Sequence, residues 1–424
     1  MVAAYSSSPA MLIAARALLG VAGATLMPSM MALIRNMFRD PRQMATAIGI
    51  WFSCFMGGMI LGPLVGGALL STFWWGSAFL LGVPFMVLLL VAGPVLLPEY
   101  RDPEAGRLDL ASVALSLAAI LPVIYGLKEF AREGWHTTPA AAVVLGVLAG
   151  AVFVRRQRRL ASPLLDLRLF ANRTFSSALG SGLCLGIVMA GVTLTSTLYL
   201  QAVRGLSPLQ AGLWLIPQTV AMAAGLMGSS ALARRIRPAH LMAGGLLVAA
   251  AGMVAQTRTD ADGGVGPVVL GLALTSLGIA PTMALTMNLI LGSVPPRKAG
   301  SAASLSETSG EFGVALGVAA LGSLATFVYR SRLAVPPGTP AAAGDAARQG
   351  ITEATATAAA LPGTLGAEVV EAARAAFTSG LTTVAGVGAG VFVGFAVVVA
   401  MAFRHVPRTA GAEPERVEEA PASA

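Results

Sequence analysis

Glu307 and Glu311 are the residues whose type and spacing most directly suggest chemistry. They stand at i and i+4 in AGSAASLSETSGEFGVALGVAALGSL, a stretch with no other charge, so a helix carries both on one face. Loss of hydration and mutual repulsion both favour keeping a proton on such a pair. A pair that holds and releases protons can exchange them for an organic cation. The competing reading has both carboxylates wetted, because Glu307 lies only about two turns from the cytoplasmic end of its apolar run. Arg16 is the other charge inside an apolar run, in LIAARALLGVAGA, followed by Gly20 and Gly23, which leave room for a neighbouring helix. It is either a buried cation that tunes a proton-active carboxylate or an arginine that snorkels to the outer surface.

A further pattern has no titratable group. In GGMILGPLVGG, residues 57–67, Gly58, Gly62 and Gly66 recur every four residues, so they line one helical face. A side-chain-free stripe admits a second helix to near backbone contact. Pro63 removes one ladder hydrogen bond and favours a bend. The stripe suits either a moving joint or a static tight contact. Tyr199, Trp214, Gln218, Asn288, Phe312, Met222, Met283 and Met287 are polar, aromatic or adaptable enough to line a cavity for a lipophilic cation. Ordinary helix packing is the alternative for each. Pro217 and Pro281 are kink candidates.

These residues need a membrane to position them. Mean hydropathy is +0.76, and 11% of residues are charged, against about a quarter in a soluble chain. Apolar runs of about 20 residues predict an all-α polytopic membrane protein rather than a barrel. Eleven spans are expected, near 11–34, 45–71, 75–97, 109–128, 138–154, 176–202, 208–232, 239–257, 265–292, 300–328 and 379–403. Nineteen of the 28 Lys and Arg residues fall on one side of this alternation. They include Arg155, Arg156, Arg158 and Arg159 in one loop and Arg234, Arg235 and Arg237 in another. That side is cytoplasmic by the positive-inside rule. The C-terminus is then cytoplasmic and Met1 outside, and the net charge of +8 sets orientation rather than nucleic-acid binding. Cys54 and Cys184 fall within apolar runs as small core residues, with no disulfide or metal site implied. His136, His240 and His405 are far apart, and neither a zinc-ligand pair nor a nucleophile elbow is present, so no enzyme and no cofactor is expected. Residues 366–377 (GAEVVEAARAAF, from Gly366) have the spacing of a short amphipathic helix.

Leu12, Arg16, Gly20, Gly23 and Ala24 resemble the fourth-span motif of the major facilitator superfamily, with Leu19 where much of the superfamily has glutamine. Gly58, Gly62, Pro63, Gly66 and Gly67 resemble the fifth-span motif of its antiporters. PEYRDPEAGRLDL (98–110) and LYLQAVRGLSPLQAGLWLIP (198–217) are similar to the fourteen-span drug/proton antiporters, and Glu307, Glu311 and the long loop before the last span resemble those of the quaternary-ammonium-type exporters within them. The resemblance implies a major-facilitator fold lacking its first three spans, with the first-span acid and the loop motif after the second span. It implies the following division. Residues 1–97 are the remaining half of an N-terminal bundle, 98–154 two inserted spans, and 155–175 a basic cytoplasmic linker. Residues 176–403 form a C-terminal six-helix bundle with a long outer loop at 329–378, and 404–424 are a cytoplasmic tail. It further implies a monomer in the bacterial cell membrane that exports lipophilic cations against protons. Arg16 would assist proton transfer, the Gly58–Gly67 face would restrict leakage, and Glu307 and Glu311 would bind cation and couple it to protons. The alternatives are an exporter of another metabolite on the same fold, or a truncated remnant that does not transport.

Overall fold

A computed structural model describes residues 1–406 apart from 39, 97–108, 134–135, 161–162, 164, 295–298 and 363. Most of the segment 98–110, the tail beyond 406, and Arg39, Arg101, Arg107, Arg297 and Lys298 therefore lie outside the described residues. Among the described residues every regular element is helical. The helices are α1 (Pro9–Met37), α2 (Pro41–Thr72), α3 (Ser77–Leu80), α4 (Gly82–Leu96), α5 (Leu110–Glu133) and α6 (Thr137–Gln157). They continue with α7 (Arg173–Leu198), α8 (Pro208–Trp214), α9 (Ile216–Ala233), α10 (Pro238–Gln256) and α11 (Gly266–Gly292). The last are α12 (Ala299–Arg332), α13 (Ala341–Gln349), α14 (Ile351–Ala358) and α15 (Leu365–Ala402). Nine stretches among the described residues are long and apolar enough to cross a membrane. They match nine of the eleven expected spans. The other two fall on α1 and α2, helices of 29 and 32 residues.

The chain divides into two compact units, residues 1–108 with 206–216, and residues 109–205 with 217–424. In the first, the hydroxyl of Ser8 caps α1 by accepting from the Met11 amide at 3.2 Å. The indole N–H of Trp51 on α2 donates to the Met30 sulfur of α1 at 2.9 Å. No residue of α4 is buried, as suits a helix whose apolar sides face lipid.

In the second unit, α5 and α6 form a hairpin closed by glycine. A Cβ at Gly126 would lie 2.7 Å from the Pro139 carbonyl oxygen, and one at Gly146 2.8 Å from that of Ala119. The end of the hairpin formed by the start of α5 and the end of α6 carries a polar knot. Fully buried Ser112 donates to Asp109 at 2.6 Å and accepts from Gln157 at 2.7 Å, and Arg156 pairs with Asp109 at 3.0 Å. Arg156 is thus tied to the start of α5 through Asp109. Asn172 opens α7, its side-chain oxygen accepting from the Thr174 amide at 2.9 Å. The span expected at 208–232 is split into α8 and α9 at Leu215. Pro217, in the first turn of α9, supplies no amide to continue the ladder of α8. Pro281 lies inside α11 without ending it.

The outer loop expected at 329–378 is largely helical. Alanine-rich sequence favours helix, and α13 and α14 bury Ala343, Ala347, Ile351, Ala354 and Ala358. The Tyr329 hydroxyl donates to the Ala347 carbonyl at 2.8 Å, tying α13 to the end of α12. The amphipathic segment from Gly366 is not a separate helix but the first turns of α15.

Candidate functional site

The rotation of α12 decides where its glutamates point, and α7 sets that rotation. A Cβ at Gly186 of α7 would sit 2.7 Å from the Gly310 carbonyl oxygen, and one at Gly313 2.5 Å from that of Leu183. Gly317 lies against the Ile187 carbonyl in the same way. The Ser309 hydroxyl donates across to the Leu179 carbonyl at 3.3 Å. Ser309, Gly313 and Gly317 therefore form the face that docks on α7. Glu307 and Glu311 lie two residues off this register, so they fall on another side of α12 at about 100° per residue. Both side chains are exposed, and among the described residues neither carboxylate has an ion-pair partner.

At 1.5 Å per residue, Glu307 and Glu311 lie about 12 and 18 Å along α12 from its start. The preceding helix α11 carries Met283, Met287 and Asn288 within about 14 Å of its own end. These three side chains are exposed as well, Met283 to 52%. Along their own helices Glu307 and Met283 stand at similar distances from the α11–α12 connection, about 12 and 14 Å, while Glu311 lies further along. Phe312, Gln218 and Met222 are half-buried. Tyr199 is not available to a cavity. It is fully buried, and its hydroxyl donates to the Asp260 carbonyl at 2.9 Å. Trp214 belongs to α8 in the first unit.

Arg16 is exposed, its guanidinium carbon 6.0 Å from the centroid of the Phe79 ring. That distance is at the edge of a cation–π contact. Phe79 is edge-on to Trp75, Trp75 to Trp74, and Trp74 meets Tyr5 at 5.2 Å. Tryptophan and tyrosine are enriched where helices meet the membrane–water interface, and this cluster is the setting of Arg16. Gly20 and Gly23 have no heavy atom within 4 Å of where a Cβ would stand, and Leu12 is half-buried. On α2, Gly58, Gly62 and Gly66 are open in the same sense. Gly67 is closed: a Cβ there would meet Leu209 Cα at 2.8 Å and the Pro208 carbonyl oxygen at 2.9 Å. Arg16 and these glycines belong to the first unit, the two glutamates to the second. Cys54 is exposed rather than core, Cys184 is half-buried, and both are free thiols.

The glycine contact between α7 and α12 escaped sequence reasoning. Its signal was present, since Gly313 and Gly317 repeat the four-residue spacing of the α2 stripe, but nothing in spacing alone says which stripe is filled. No cluster of three potential metal ligands occurs among the described residues.

The family model described as Major Facilitator Superfamily matches residues 1–318. The multidrug efflux pump LfrA of Mycolicibacterium smegmatis is 42% identical over 405 residues, covering 95% of this chain and 80% of that protein. The methyl viologen resistance protein SmvA of Salmonella typhimurium is 31% identical over 382 residues, 88% of this chain and 76% of its own. The tetracenomycin C resistance and export protein of Streptomyces glaucescens is 32% identical over 392 residues, 89% and 71%.

Proposed function

This chain belongs to the Major Facilitator Superfamily, and from that premise we propose that it expels lipophilic organic cations from the bacterial cytoplasm in exchange for protons. Drug efflux as the general activity is supported by relatives named for multidrug efflux, methyl viologen resistance and tetracenomycin C export. The chemistry is transport across a multi-pass membrane protein, not catalysis.

The observation that carries the cation and proton parts is the stacked pair Glu307 and Glu311 on the exposed side of α12. With a proton retained, the pair is compatible with an apolar setting. An arriving cation supplies the compensating charge and displaces the proton, and reprotonation from the outer side expels the cation. Met283 and Met287 give a wall that adapts to differently shaped guests, and Phe312 offers a ring face. Arg16, in the first unit, is proposed to bias proton transfer by its fixed charge. The Gly58–Gly67 face is proposed to close against leakage, with Gly67 already seated on Leu209. The protein's tail is proposed to lie in the cytoplasm, as the basic loops favour.

The test is export from cells carrying matched amounts of parent, Glu307→Gln or Glu311→Gln protein. Each substitution is expected to reduce export of divalent organic cations more than of monovalent ones. Equal resistance in parent and variants would remove the acids from the mechanism. A second reading, export of another metabolite on the same scaffold, is favoured by the relative named for tetracenomycin C export. A panel of cationic dyes and neutral compounds separates the two.

A further inference from the structure

An open groove of about 450 Å³ runs between α9, α10 and α11. Its walls are apolar: Leu232, Ile236, Val248 and Leu277 line it and remain exposed. Gly228 and Gly244 form part of the wall, and each has no heavy atom within 4 Å of where a Cβ would stand. The depth of the groove comes from these missing side chains. Its floor is solid, because Gly225 meets Ala280, and Gly245 meets Gly278, at close contact.

One end of the groove is strongly basic. Ile236 and His240 line it there, and the turn between α9 and α10 contributes Arg234, Arg235 and Arg237, all exposed. Among the described residues none of these arginines has an ion pair or side-chain hydrogen bond. No acidic residue occurs in the sequence between Asp166 and Asp260. The N-terminus of α10 follows this turn directly and has no side-chain cap, which adds the positive end of a helix dipole.

We propose that this groove binds an anionic phospholipid, one acyl chain along the apolar wall and the phosphate against Arg234, Arg235 and Arg237. Charge decides the occupant. A lipophilic cation gains from the walls but meets three arginines at the mouth, whereas an anionic headgroup gains from both. An apolar furrow open to the side of a helix bundle is filled by lipid in any bilayer. The arginines turn that filling into a preference. The inference does not depend on the transported substrate.

The experiment uses the full chain, reconstituted in vesicles of phosphatidylethanolamine with and without phosphatidylglycerol, then extracted for native mass spectrometry. The parent is expected to retain phosphatidylglycerol in preference to phosphatidylethanolamine. Replacing arginines of the turn by glutamine should cut that preference by about fivefold for each one removed. Gly244→Leu fills the furrow where nothing obstructs a side chain. It should release both lipids while keeping the parent's unfolding temperature in lipid-free detergent. Equal retention of the two lipids by the parent overturns the proposal, and so does a preference that survives loss of all three arginines. Displacement of the retained lipid by a cationic dye from the parent, but not from the Gly244→Leu protein, also overturns it by assigning the groove to cargo.

Discussion

On α2, Gly58, Gly62 and Gly66 stand four residues apart with open space where a Cβ would be. On α12, Gly313 and Gly317 have the same spacing and lie against the backbone carbonyls of Leu183 and Ile187. Written as sequence, the two stripes are equivalent. In the folded chain one is a closed contact that fixes the rotation of a helix, and the other is an open face. The closed stripe belongs to the second unit, where it determines which side of α12 carries Glu307 and Glu311. The open stripe belongs to the first unit and closes only at Gly67. A small-residue stripe therefore records that a helix is able to approach. Whether one has done so depends on what packs nearby.

The largest effect expected from this contrast is at Gly317. A side chain there must displace the Ile187 backbone, since no flexible neighbour is able to give way. Gly317→Val should cost about 1–3 kcal/mol in unfolding experiments on the purified protein, the usual range for overpacking. Gly62→Val should stay within about 0.5 kcal/mol of the parent, as for an unobstructed surface position. If the two variants lose equal stability, the contrast between closed and open stripes fails.

A somewhat smaller effect is expected at Gly67, and it sharpens the comparison within a single helix. Gly67→Ala brings a methyl onto the Pro208–Leu209 backbone and should destabilise by about 1 kcal/mol, while Gly58→Ala should not. If the proposed sealing role of this face is right, Gly58→Ala instead increases proton leak in vesicles loaded with a pH-sensitive dye. A leak unchanged in Gly58→Ala, with stability also unchanged, would leave the open stripe as lipid-facing surface.

Helix class and nine of the eleven expected spans were legible from hydropathy, because a run of about 20 apolar residues in a bilayer has few alternatives to helix. Family membership was legible from Leu12, Gly20, Gly23 and the Gly58–Gly67 motif. Three features were not. Tyr199 reads as a cavity residue because it is polar and aromatic. Its hydroxyl is instead spent on the Asp260 carbonyl, a partner 61 residues away that no local pattern reveals. The helices α13 and α14 read as part of a long loop because their stretch has no apolar run long enough to span a membrane. Their burial against neighbours supplies the missing stabilisation. The knot of Asp109, Ser112, Arg156 and Gln157 was invisible for the same reason: Arg156 sits in a run of arginines, and nothing in the run marks the one with a partner.

That knot allows the smallest predicted effect. The α5–α6 hairpin is held by glycine contact at Gly126 and Gly146 along its length and by polar contact at its end. The hydrogen bond from the Ser112 hydroxyl, and after it that from Arg156, lowers the Asp109 carboxyl from its ordinary 3.8 to about 2. A carboxyl held low in the folded state stabilises above its unfolded value and loses that contribution as pH falls through the folded one. Unfolding of the parent and of Asp109→Asn should therefore differ by a constant amount above about pH 5 and converge as pH approaches about 2. The pair is partly exposed, so solvent screens it and the difference should be small. Gly146→Ala, which drives a methyl toward the Ala119 carbonyl, should cost more at every pH. If Asp109→Asn is the more damaging of the two at neutral pH, the hairpin is held by its polar end and not by its glycines, and close packing loses its place as the principal fastening of this unit.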